Sequence, residues 1–76
     1  MRYAIGRCRL LDILKNRKMS QAEFARRMDT HPQTVQKWVK GEAVMLLITA
    51  YAASQVLGCK MEELYEFILY EEAADK

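Results

Sequence analysis

Glycine and proline are scarce in this 76-residue chain, which has three of the first and one of the second. Neither Asn-Gly nor Asp-Gly occurs, and no long run alternates apolar with polar residues. Tight hairpins and half-buried strands are therefore not expected, and each break that does occur is informative. Cysteine is equally sparse: Cys8 and Cys59 lie far apart, and His31 is the only histidine. No metal-ligand spacing results, so neither metal nor cofactor is expected, and the cysteines read as reduced thiols, at least one of them packed as a small hydrophobe. His31 has no Cys, Ser or Asp partner in any catalytic pattern, which argues against an enzyme. Long apolar runs are missing too. The longest, 43–48, has six residues, against the ~20 that span a bilayer. Three arginines among the first ten residues leave no room for a signal peptide's apolar stretch, so a cytoplasmic location without membrane contact is expected.

What is present describes one globular domain covering 1–76. Hydrophobic residues make up 51% and charged residues 29%, enough apolar surface for a core, although a chain this short buries only a modest one. The net charge of +2 conceals a division. Residues 1–41 hold ten Lys or Arg against three acids, a net of +7; residues 42–76 hold two lysines against seven acids, a net of −5. The first part should attract polyanions and the second repel them.

Apolar spacing predicts five helices. The first spans about 6–17, where Leu10, Ile13 and Leu14 form an i, i+3, i+4 stripe. Met19 can staple the start of the second, 21–28. There, Ser20 with Glu23 makes a capping box, in which the hydroxyl accepts from the Glu23 amide and the carboxylate reaches back to the Ser20 amide. Ala22, Phe24, Ala25 and Met28 point inward, leaving Arg26 and Arg27 outside. Asp29-Thr30 is the break, since Asp tolerates left-handed backbone. Pro32 suits the first position of the third helix, 32–40, and makes His31 its N-cap, with Thr30 the alternative. Val35, Trp38 and Val39 form the buried stripe, and Gly41 stops the helix. The fourth helix, about 45–57, is apolar nearly all round and should be central and well covered. Gly58 ends it. The rhythm of Met61, Leu64, Tyr65, Ile68 and Leu69 predicts a fifth helix to about residue 72, with 73–76 frayed.

Two short helices across a tight break, rich in exposed Gln, Thr, Arg and Lys, form a helix-turn-helix. The second helix of such a pair enters a major groove only if its outer face is slim and polar. The outward residues are Gln33, Thr34, Gln36, Lys37 and Lys40. The stretches 20–25, 34–38 with Gly41, and 57–65 resemble the phage lambda repressor and Cro type of helix-turn-helix, the XRE family. The resemblance covers about 10–65 and implies an all-α, lambda-repressor-like five-helix bundle, with 66–76 as an extension of the last helix.

It further implies roles. Gln21 stands where the family's glutamine binds a phosphate. Pro32, Gln33, Gln36 and Lys37 stand where its members read bases. Gln33 and Gln36 suit adenine, Lys37 suits guanine, and Pro32 offers only an apolar contact such as a thymine methyl. Thr34, Lys40, Arg26 and Arg17 are the remaining phosphate candidates, although Arg26 and Arg27 can equally be a solvated face. Trp38, in phase with Val35, belongs to the core rather than to a base stack. Relatives often join an Arg of the first helix to a Glu late in the third. Leu14 and Val39 stand at those places, which predicts that the two touch. Arg2, Tyr3 and Arg7 read either as a basic arm along the DNA or as a disordered segment.

The function implied is a sequence-specific regulator of transcription, a repressor from a phage or bacterium, acting in the cytoplasm at the nucleoid. It would bind double-stranded DNA as a homodimer, with Tyr65, Ile68 and Leu69 as interface candidates. The alternative is an antitoxin or antirepressor using the same fold to bind a protein through its acidic C-terminal helix.

Overall fold

A computed structural model describes residues 2–70. Strand β1 (Arg2–Cys8) is followed by helices α1 (Leu10–Asn16), α2 (Gln21–Arg27), α3 (Pro32–Lys40) and α4 (Leu47–Leu57), a 3-10 turn (Met61–Glu63) and strand β2 (Tyr65–Tyr70). The strands pair antiparallel as a two-stranded ribbon, with Arg2 opposite Tyr70, Tyr3 opposite Leu69 and Ile5 opposite Phe67.

The expected five-helix, all-α bundle is thus corrected to four helices and a ribbon. The fifth helix and its extension fail on the residues that suggested them. Met61, Leu64, Tyr65, Ile68 and Leu69 satisfy a helical period, but the segment 65–70 is aromatic and aliphatic almost throughout, a composition that fits a pleated surface equally well. A strand also needs a partner, and β1 supplies it from the other side of four helices. The arm read into Arg2, Tyr3 and Arg7 is accordingly part of an ordered strand. The acidic C-terminal helix does not exist over the described residues, and 71–76 lie outside them.

One hydrophobic cluster unites the helices: Leu10, Ile13, Leu14, Phe24, Ala25, Val35, Trp38, Met45, Ala53 and Leu57 are buried together. Cys8, Leu64 and Tyr65 extend it into the root of the ribbon. Leu14 is almost wholly buried, and Val39 packs half-buried against the same cluster. Two bonds fix the ribbon's root. The Arg9 amide donates to the Leu64 carbonyl at 2.7 Å, and the Tyr65 hydroxyl accepts from the Met45 amide at 3.2 Å. Burial raises the Tyr65 phenol above its usual pKa, opposed by that amide bond.

Helix α4 departs from the expected well-covered position. Its C-terminal half is buried through Ala53, Ser54 and Leu57, whereas Leu46, Leu47 and Ile48 at its start are more than 70% exposed and Tyr51 about half. An all-round apolar helix needs neighbours on every side, and nothing among the described residues covers this end. Arg17 closes the other end: its Nε donates to the Leu57 carbonyl at 2.8 Å and an Nη reaches the Gly58 carbonyl at 3.5 Å. A cation on the last carbonyls of a helix is favoured by both hydrogen bonding and the helix dipole.

Candidate nucleic-acid interface

The unit formed by α2 and α3 is built by local signals. The Ser20 hydroxyl accepts from the Glu23 amide at 3.0 Å, as its spacing predicts. The reciprocal half of the capping box does not form. The Glu23 carboxylate instead accepts from Arg26 at 2.6 Å and Arg27 at 2.7 Å. Two guanidinium donors outcompete one backbone amide because their bonds are charge-assisted. The hydrogen bonds from Arg26 and Arg27 hold the Glu23 carboxyl down at about 2, and the same pairing raises Arg26. The outer face of α2 is therefore a tied cluster, not two unengaged cations.

The turn that follows is held by two backbone bonds. Met28 caps α2, Asp29 takes the left-handed conformation at φ 56°, and Thr30 and Asp29 donate to the carbonyls of Ala25 and Arg26. This closing pattern usually carries Gly at the left-handed position. Asp is among the side chains that enter that region most readily. His31 is the N-cap of α3 in extended conformation, although its side chain makes no capping bond. Pro32 occupies the first turn, and Gly41 ends the helix at φ 80°.

Within α3 the faces separate cleanly. Val35 and Trp38 are buried, so Trp38 belongs to the core, as its phase predicts. Gln33, Gln36, Lys37 and Lys40 are all exposed. Their positions run i, i+3, i+4, i+7, a single stripe along one side of a helix, with Pro32 exposed at its head. No side-chain hydrogen bond or ion pair among the described residues holds any of the four. Thr34 lies off this stripe, half-buried, where it lines a hollow of about 430 Å³ with Thr30, Trp38 and Ile48. Gln21 is half-exposed at the start of α2.

The helix-turn-helix family model HTH_3 matches residues 10–64, which takes in α1 to α4 and the 3-10 turn. The chain belongs to the Cro/C1-type helix-turn-helix (XRE) family. This is a family of DNA-binding regulators, typically without enzymatic activity. No curated protein matches the chain significantly. The matched span begins after β1 and stops just short of β2, so it takes in the helices and leaves out the ribbon.

Three features escape a reading of the sequence. Arg17, a candidate for phosphate, is bound to the end of α4. Tyr65, a candidate for a dimer interface, is buried in its own chain. Ile68 and Leu69 are exposed, but on a strand instead of a helical stripe. No local signal marks the Arg17 contact, because its partner lies 40 residues away. No helix among the described residues is long and apolar enough to cross a membrane.

Proposed function

We propose that the chain represses transcription by binding duplex DNA sequence-specifically, as a homodimer, with α3 in the major groove. The stripe Gln33, Gln36, Lys37 and Lys40 carries this reading. It is polar, exposed and unpartnered, on a helix whose angle to α2 is set by a closed turn. Gln33 and Gln36 offer paired donor and acceptor atoms of the kind that match adenine, Lys37 suits the O6 and N7 of guanine, and Pro32 meets a thymine methyl. Lys40, Gln21, Thr34 and Arg26 serve the phosphates, Arg26 while still paired with Glu23. Arg17 is left out of the contact set because the carbonyls ending α4 hold it. Action in the cytoplasm, at the nucleoid, follows from this reading.

Selection of bound sequences from random duplexes tests it. A palindromic consensus is expected, with half-sites one helical turn apart. Gln36→Ala or Lys37→Ala should weaken binding to that consensus about 5- to 150-fold, the ~1–3 kcal/mol of a base contact, and relax the preference at one base. Lys40→Ala should weaken binding evenly across sequences and flatten its salt dependence. Absence of any enriched sequence at low salt would overturn the proposal.

A further inference from the structure

Beside α3, off its polar stripe, lies the hollow of about 430 Å³ that Thr34 helps to line. Three elements enclose it: the turn after α2, the flank of α3 and the start of α4. Met28, Trp38 and Ile48 supply apolar wall, Thr30 and Thr49 supply hydroxyls, and Asp29 supplies a carboxylate. The volume suits a small molecule.

The polar groups around this hollow have no partner in the chain. Among the described residues, the indole N–H of Trp38, the carboxylate of Asp29 and the hydroxyls of Thr30 and Thr49 make no hydrogen bond or ion pair. Water serves such groups where they are exposed. Trp38 is only 7% exposed, and a buried donor without an acceptor is costly enough that few proteins keep one. The charge at the hollow is also of one sign. Asp29 is the only charged residue lining it. It stands at a left-handed position, φ 56°, where glycine would close the turn without strain but leave the hollow neutral. A recess that carries one sign of charge concentrates the opposite ion and disfavours an anion.

We propose that this hollow binds a small amphipathic amine. Its ammonium group sits at Asp29, its aromatic or aliphatic body lies against Met28, Trp38 and Ile48, and an oxygen on that body accepts from the Trp38 indole. Tryptophan is also the best aromatic partner for a cation. An occupant there touches α3 and the turn that sets its angle to α2. The site goes beyond the DNA-binding reading and does not rest on it.

Titration of the free chain with para-methoxyphenethylamine near neutral pH, followed by proton–nitrogen NMR, tests this. Trp38 is the one tryptophan, so its indole N–H gives a single signal. That proton should move downfield and saturate, with a Kd of about 0.1–1 mM for so small a ligand, and the amides of Thr30 and Thr49 should follow the same curve. Phenethylamine, which lacks the oxygen, should bind more weakly without moving the indole proton downfield. The alcohol with a hydroxyl in place of the amine should bind about fivefold more weakly, the effect of one partly exposed ion pair. Asp29→Asn and Asp29→Gly both suit left-handed backbone. Each should weaken the amine by that same factor and leave the alcohol unchanged. No saturable shift, shifts confined to residues away from the hollow, an indole shift that phenethylamine reproduces, equal affinity for amine and alcohol, or Asp29 variants that bind the amine as the wild type does would each overturn the proposal. Because DNA is absent, none of these outcomes bears on the stripe of α3, and a failed DNA selection leaves this site standing.

Discussion

The outer face of α3 and the outer edge of β2 are both exposed, yet they are opposite in chemistry and in origin. The α3 face is polar and rests on a buried layer of Val35 and Trp38. The β2 edge is apolar and belongs to a ribbon whose outer half buries nothing. A surface that reads an anionic duplex needs a rigid base and side chains that do not collapse onto it. The difference shows one small chain presenting two exposed surfaces of opposite chemistry, one on a packed base and one beyond it.

The same insertion of charge into the two regions gives the sharpest contrast. Leu14→Arg buries an unpaired cation in the helical core and should cost about 3–5 kcal/mol, read by urea unfolding. Tyr3→Arg, on the ribbon where Tyr3 is 64% exposed, should cost no more than ~0.5 kcal/mol. Equal losses would erase the distinction between scaffold and ribbon. Adding Val39→Glu to Leu14→Arg should recover part of the loss if the two positions adjoin. An additive double mutant would separate them.

A smaller effect tests whether Arg17 serves the scaffold. Arg17→Ala should lower stability by about 1 kcal/mol through the lost cap on α4, with no change in the salt dependence of DNA binding. A changed salt slope would return Arg17 to the phosphate contacts.

The smallest effect belongs to Glu23. Its folded pKa, held at about 2 by Arg26 and Arg27, lies below the ~4.3 of a free glutamate. Its contribution is therefore fully present above pH ~4.3 and lost as pH falls from there through about 2. The pair is solvent-exposed, so the loss should be slight and weaker in high salt. Acid titration of Glu23→Gln beside the wild type should show a shallower decline for the variant over that window. Parallel curves would mean that the pairing contributes nothing.

The contrast also divides what the sequence makes legible. The helix-turn-helix is visible because its determinants are local: Ser20 and Glu23 are three residues apart, Pro32 adjoins its cap, and Gly41 follows its helix. The ribbon is hidden because neither strand signals itself. β1 is short, basic and interrupted at Gly6, and its partner lies across four helices. The apolar period of 61–69 fits a helix as well as a strand, and only pairing decides between them. The contacts of Arg17 and Tyr65 are hidden for the same reason, since each is fixed by a partner distant in sequence.

The pairing of Arg2 with Tyr70 also sets an order of assembly on the ribosome. β1 emerges early and must wait, unpaired, until all four helices and β2 have been synthesised. Helices α2 and α3, which close through short-range bonds, are complete well before that. During translation the helix-turn-helix unit therefore takes shape first, and the ribbon, whose loop closure spans the whole described chain, is the last part to form.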